Sequence, residues 1–485
     1  MEQAIDELKQ AEKYVDLIEL RIDHIQNIDA NKLKKIIGIK NKKVIVTCRP
    51  KSFGGKFGGN EEERTTLLKK AIESKADFID IEIESVKKDI IELIKNKKNT
   101  RVIISYHNFK ETLPLNKLSK KYDEIKKINP DLIKIITNAR SINDNFTIFE
   151  LLKNKKDLIS FCMGIRGQIS RILAPKYGSI LTFASLAEGK ESASGQFSID
   201  EMKNTYNIDS INEETNVLGV IGKFAENSMS KYMHNACFKA KKINFVYMPF
   251  KVEENELKEF MENFRKFDFK GASVTIPHKL EVMKHIDSID EIAKQIGAVN
   301  VLNNKNNRIS GSNSDCYGAM EALKEKTALK NKKALVIGAG GGARAIIYGL
   351  KKENAIITIT NRTIENARAL AGEFKIKYAD IKSIKSLIKE SDIIINTTSV
   401  GMNPKPDESI INEEDLVKGK IIMDIVYKPI ETKLIKNARK AKCITITGER
   451  MLVYQAINPF KMWTKQDADF NLMENALLEQ TKKGE

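Results

Sequence analysis

The run ALVIGAGGGARAIIYGL sets Gly338-x-Gly340-x-x-Ala343 between a short Ile/Val strand and a helix. That spacing suits a dinucleotide. The first glycine permits a tight turn, the second lets backbone approach a pyrophosphate, and the N–H groups that open the helix face the phosphates. Gly341 and Gly342 belong to the same turn. The next strand, AIITIT, ends in Asn361-Arg362-Thr363, about 20 residues beyond the glycines. A site for an unmodified ribose would carry Asp or Glu there, whereas an arginine suits a 2′-phosphate, so the expected cofactor is NADP(H). A second group of candidates lies upstream, where apolar runs end in polar side chains: Glu19 and Arg21, Arg49, His107 and Lys134, with Arg171 in a later loop. Lys134 interrupts the apolar run DLIKII and should be buried, and an unpaired buried lysine is rarely structural. His107 closes VIISYH and titrates near neutrality, so it can carry a proton.

The elements that must position these groups fall into two unlike halves. Over residues 15–185 short apolar runs alternate with lysine-rich amphipathic segments: VDLIELRI, VIVTC, DFIDIEI, VIISYH, DLIKII, LISFCM and SILTF. Continuous apolar strands separated by helices predict a parallel sheet covered by helices, and this many evenly spaced units predict a TIM-type (β/α) barrel. Barrel active sites lie at the C-terminal strand ends, which is where the polar residues fall. Residues 206–216 are polar and aperiodic and read as a linker. Short strands and helices follow to about residue 325, a second βα series occupies 326–448, and 449–485 is helical in pattern. The predicted class is therefore α/β, a barrel followed by a two-domain half with a Rossmann-type fold.

Composition narrows the function. The chain has 485 residues, 41% hydrophobic and 30% charged, a globular balance for two or three domains. Lys+Arg exceeds Asp+Glu by 82 − 65 = 17. Only 14 of the basic residues are arginine, and the lysines are scattered in pairs rather than clustered among aromatics, so a solvated surface is expected and not a nucleic-acid partner. No apolar stretch is long enough to cross a bilayer, and the N-terminal residues have no apolar signal region. Five dispersed cysteines without a CxxC pair exclude a disulfide framework or zinc site and fit a reducing cytoplasm. No metal is expected, the partners are small molecules, and self-association as a homodimer is left open.

Residues 217–485 resemble shikimate dehydrogenases through NSMSKYMHN, SVTIPHK, GAVN, NSD, GAGGGARA, NRT, NTTSVGM, DIVYKP and GERMLVYQA. The resemblance implies a catalytic pair, Lys279 and Asp315, expected to lie away from the glycine turn. It implies Ser228 and Ser230 on the substrate carboxylate, and Thr275, Asn300, Tyr427 and Gln455 around the substrate hydroxyls. Gly448 joins Gly338, Gly340, Gly341, Gly342, Ala343, Asn361, Arg362 and Thr363 as a cofactor-binding residue. The substrate domain would comprise 217–325 with 449–485, and the NADP domain 326–448. Lys231 and Val301 stand where the family usually has Pro and Thr.

Residues 1–205 resemble type I 3-dehydroquinate dehydratases through ELRID, TCRP, SYHNF, DLIKII, MGIRGQISR and SASGQ. The resemblance implies a Schiff base on Lys134 and proton shuttling by His107. Substrate contacts would come from Glu19, Arg21, Arg49, Arg171, Ser192 and Gln196. The attacking amine must be neutral, which burial or neighbouring cations would favour. Phe53 stands where the family commonly has a glutamate, and the family's first strand has no counterpart. Seven strands leave a barrel open, with VDLIELRI and SILTF as its expected edges, so either the start is truncated or another segment or subunit fills the gap.

Together the two resemblances imply a bifunctional enzyme that dehydrates 3-dehydroquinate and reduces the product with NADPH. An NAD-dependent quinate or shikimate catabolic enzyme and a non-catalytic sensor of the same intermediates are the alternatives. A cofactor comparison separates the first and a turnover assay the second.

Overall fold

The computed structural model describes residues 1–484 and divides the chain into two compact units that meet between Thr215 and Asn216. The first unit is built on six parallel strands: β1 (Leu17–Arg21), β2 (Lys43–Thr47), β3 (Phe78–Glu82), β4 (Arg101–Asn108), β5 (Leu132–Asn138) and β6 (Leu158–Met163). They pair in chain order, as right-handed βα units with one helix per crossover do. Strands β3 and β6 are buried along their whole length, which explains why they read as unbroken apolar runs. The sheet is a half-barrel, with β1 at one edge.

The expected seventh strand does not form among the described residues, and β6 rather than SILTF is the second edge. Ile180 N donates to Leu158 O (3.2 Å), but the next backbone donor, Ser160 N, is taken by the Ser179 hydroxyl (3.1 Å). A side chain thereby replaces the ladder bond, and the segment runs beside β6 without pairing.

The second unit holds two sheets. The first contains β7 (Asn216–Gly222), β8 (Phe245–Lys251), β9 (Gly271–Val274), β10 (Ser288–Ile289), β11 (Val301–Lys305) and β12 (Arg308–Ser312), in the order β10-β12-β11-β9-β7-β8. The second contains β13 (Lys333–Ile337), β14 (Ile356–Asn361), β15 (Lys377–Asp380), β16 (Ile393–Asn396), β17 (Ile421–Asp424) and β18 (Ile444–Ile446), all parallel. Its order, β15-β14-β13-β16-β17-β18, is the doubly wound dinucleotide-binding arrangement, whose crevice opens at the carboxyl ends of β13 and β16. The terminal helices Gly448–Thr464 and Phe470–Gly484 pack on the first sheet through Phe460, Trp463, Met473 and Leu477.

One histidine is locked in that packing. His234 is fully buried, stacks on Tyr247 (4.3 Å) and Phe460 (6.1 Å), and neither ring nitrogen has a hydrogen-bond partner. Burial pushes it down to about 3, so it stays neutral in the folded unit while the unfolded chain protonates near 6.5. Below that pH the unfolded chain binds the extra proton, so stability falls as pH falls. Between pH 7 and 5 this amounts to about 2 kcal/mol. His234→Leu should flatten that part of the second unit's pH–stability curve in denaturant titrations. An unchanged slope would mean that other groups set the acid sensitivity.

Candidate active sites

In the first unit, β1, β2, β4 and β5 bring Glu19, Arg21, Arg49, His107 and Lys134 to one cavity, together with Arg171, Ser192 and Gln196. Arg21, Arg49 and His107 come from the C-terminal ends, but Glu19 and Lys134 lie inside their strands. Lys134 is buried, but not unpaired. Its Nζ lies 3.0 Å from Asp80 Oδ2, 3.5 Å from Glu19 Oε1 and 4.3 Å over the Phe183 ring. The sequence suggests cations beside this amine, yet carboxylates face it, because a buried ammonium needs a counter-ion. Burial raises the Asp80 carboxyl, but Lys134 and Arg49, with the Ser105 hydroxyl, outweigh it and hold Asp80 well below the usual carboxylate range. Arg49 Nη1 lies 3.0 Å from His107 Nδ1; arginine only donates, so Nδ1 accepts and the ring proton sits on Nε2. Burial, then Arg49 and Lys134, push His107 well below its ordinary value, leaving a neutral imidazole.

The cations differ in how they are satisfied. Arg21 is clamped by both oxygens of Asp23 (2.9 and 2.8 Å). Arg171 is fully buried with no ion-pair partner among the described residues; its only polar contact is a long one to Ser194 O (3.4 Å), and Nε is unpartnered. Burial pushes it down to about 10, which still leaves it charged at neutral pH. A charged, desolvated guanidinium lining a cavity is built for an incoming anion. Phe53, in the turn after β2, is half-buried and outside the cavity lining.

In the second unit, Lys279 Nζ donates to Asp315 Oδ2, and Asn300 Nδ2 donates to Asp315 Oδ1 (2.7 Å). Gln455 Oε1 closes the group at 3.5 Å from Asn300 Nδ2 and 3.3 Å from Ser314 Oγ. Adjacent backbone holds the set together: Val274 N donates to Asn300 O (2.7 Å) and Val299 N to Lys279 O (2.8 Å). Ser228, Ser230 and Tyr427 form a neighbouring group rather than joining this network. Tyr427 lies near Ser228, and Ser230 N donates to Ser228 Oγ (3.3 Å). Thr275 follows β9, its N donating to Ile221 O (2.9 Å) and its side chain lying against Gly222.

The glycine turn has the shape a dinucleotide requires. Gly338 has φ +116°, and a Cβ there would sit 2.4 Å from Thr397 Oγ1 at the end of β16. A Cβ on Gly340 would meet no protein atom within 4 Å, so the open space at this helix N-terminus is left for a ligand. Gly448 is instead tight, 2.5 Å from Val426 O. Gly338 N donates to Thr360 O (2.9 Å), which sets the exposed Arg362 beside the turn. The Lys279 side chain lies against that helix, its Cδ 3.1 Å from a Cβ built on Gly341. Lys279 therefore does not lie away from the turn; the strand–loop–helix crossing that forms the crevice brings it there.

The chain is similar to known proteins along most of its length. The family model for type I 3-dehydroquinase matches residues 1–213, that for the shikimate dehydrogenase substrate binding domain 220–302, and that for shikimate / quinate 5-dehydrogenase 320–446. The bifunctional 3-dehydroquinate dehydratase/shikimate dehydrogenase of Arabidopsis thaliana is 35% identical over 481 residues, 95% of this chain and 79% of that protein. The chain belongs to the bifunctional 3-dehydroquinate dehydratase/shikimate dehydrogenase family. Its dehydrogenase half is 42% identical over 284 residues to the shikimate dehydrogenase (NADP(+)) of Methanocaldococcus jannaschii, 56% of this chain and all of that protein. A crystal structure of a shikimate dehydrogenase in complex with NADP+ superposes with a TM-score of 0.53 at 39% identity, over 56% of this chain and 97% of that one.

Some residues around both sites escape a reading of the sequence. In the dehydratase half Asp80 and Glu82 are buried carboxylates two apart in DFIDIEI, hence on one face of β3. Asp80 holds Lys134 and Arg49, while Glu82 lies 3.0 Å from Arg49 and 2.8 Å from the fully buried Arg64. Two carboxylates at period two in an apolar strand were the available signal. In the dehydrogenase half Ser314 bonds both Asn300 and Gln455, and its only mark in the sequence is its place in NSD.

Proposed function

We propose that the dehydratase cavity converts 3-dehydroquinate to 3-dehydroshikimate through an imine on Lys134, and that the dehydrogenase crevice reduces that ketone to shikimate with NADPH. The observation that supports the first step is a buried Arg171 with no ion-pair partner among the described residues, in the same cavity as Lys134 and His107. Arg171 binds the substrate carboxylate, with Ser192, Gln196 and Arg21 around the hydroxyls. Lys134 gives up a proton and its neutral nitrogen attacks the ketone carbon. Of that proton and the two amine hydrogens, two leave on the ketone oxygen as water and one stays on the resulting protonated imine. That electron sink acidifies the neighbouring carbon, whose proton is taken by the unprotonated Nδ1 of His107 as Arg49 turns from it to the substrate. His107 then gives that proton to the β-hydroxyl, which leaves as a second water, and addition of one water to the imine restores the ketone and returns the lysine. Asp80 and Glu19 hold the lysine in position, and the negative substrate offsets the cations that keep His107 weakly basic.

In the crevice, open space over Gly340 and the exposed Arg362 fit an NADP pyrophosphate and 2′-phosphate. When bound, the nicotinamide supplies the hydride. Ser228 and Ser230 orient the substrate carboxylate, Thr275, Asn300 and Gln455 its hydroxyls, and Lys279 gives a proton to the new alkoxide while Asp315 fixes its direction. We assign the substrate lobe to 217–325 with 449–485 and the NADP lobe to 326–448. Dispersed free cysteines support a reducing, cytoplasmic setting, and among the described residues no helix is long and apolar enough to cross a membrane.

Supplying 3-dehydroquinate and NADPH to the full chain should produce a transient enone absorbance followed by NADPH loss. Enone formation without NADPH loss, or no enone at all, would refute one half or the other. Arg362→Ala should raise KM for NADPH at least about tenfold, the scale of a charged hydrogen-bonded contact, and barely move KM for NADH. Equal effects on both cofactors would show that Arg362 is not the 2′-phosphate ligand.

A further inference from the structure

A second cavity of about 300 Å³ opens at the opposite end of the β7–β9–β11 sheet from Thr275. It lies at the start of β7 and β8, before β9, and at the end of the antiparallel β11. The hairpin from β11 to β12 turns on Asn306 and Asn307, both left-handed (φ 53° and 60°), the residues such a two-residue turn prefers. This tight turn fixes Lys305 at the rim. Lys270 and Lys465 complete a ring of three ammonium groups, and no acidic residue lines the space. Lys270 pairs with Asp268 outside the lining, Lys465 donates to Met462 O (2.8 Å), and Lys305 makes no ion pair among the described residues. The opposite wall is apolar, with Phe245, Met462 and the indole of Trp463, which Nε1 pins to Leu302 O at 2.9 Å. Between them lies Asn304, 95% buried, whose Nδ2 donates to Phe269 O (3.1 Å) and whose Oδ1 accepts nothing.

We propose that this cavity is a second ligand site, which takes a small hydroxylated aromatic carboxylate. Lysine ammonium groups act as point charges for a carboxylate, the indole and phenyl faces suit a planar ring, and an unpartnered buried amide oxygen calls for a hydroxyl donor. None of these residues takes part in either reaction derived above, so the site adds a binding function to the dehydrogenase half.

The test uses Trp463, the chain's one tryptophan, as its own reporter. In the full-length protein, 4-hydroxybenzoate should change Trp463 emission saturably, and excess shikimate should not reverse it. The neutral analogue 4-hydroxybenzamide should bind at least fivefold more weakly. Lys305→Glu and, on a separate element, Lys465→Glu should each weaken 4-hydroxybenzoate binding about fivefold or more, the scale for reversing one rim charge. Both variants should reduce 3-dehydroshikimate with KM and turnover rate unchanged, which reports that they are folded. The proposal fails if 4-hydroxybenzoate gives no saturable change, if the benzamide binds as well, or if shikimate competes while both folded variants bind normally.

Discussion

Lys134→Ala should lower dehydration of 3-dehydroquinate by on the order of 10⁴-fold or more, the range for loss of a covalent nucleophile. Reduction of 3-dehydroshikimate by the same variant should be unchanged. The size of the effect follows from the chemistry, since without an imine nothing in the cavity withdraws electrons from the carbon that must lose its proton. Arg171, Arg49 and His107 would still bind and orient the substrate, so affinity should fall far less than turnover. Borohydride added with 3-dehydroquinate to the unmodified enzyme should reduce the imine to a stable secondary amine on the DLIKII peptide. An adduct at another residue, or an active enzyme that cannot be trapped, would rule out Lys134 as the nucleophile.

Lys279→Ala and Asp315→Ala should each lower 3-dehydroshikimate reduction by about 10²–10⁴-fold, the usual range for a positioned proton donor. The two losses should be far from additive in the double variant, because Asp315 acts through the ammonium it holds. The contact between Lys279 and the helix that begins at Gly341 adds a finer expectation. Lys279→Ala should alter NADPH affinity modestly, whereas Asp315→Ala, whose carboxylate faces Lys279 and Asn300, should leave it nearly constant. Near-normal turnover in either single variant would remove that residue from proton transfer.

Much of this was legible in the order of residues, for local reasons. The βα alternation, the glycine turn with Arg362 about 20 residues on, and polar side chains at strand ends are short-range patterns set by backbone period and turn geometry. They predict which residues share a face or a strand end, and hence the cavity that gathers Glu19, Arg21, Arg49, His107 and Lys134. What tertiary structure alone decided depends on partners far apart in the chain. Asp80 reaches Lys134 across 54 positions and Gln455 reaches Asn300 across 155. SILTF has strand-forming composition, yet Ser179 takes the donor a ladder would have used. A buried charge is stabilised only by the particular group folding brings against it, so local pattern can flag the buried carboxylates of DFIDIEI but not that Asp80 meets Lys134, nor that no carboxylate among the described residues meets Arg171.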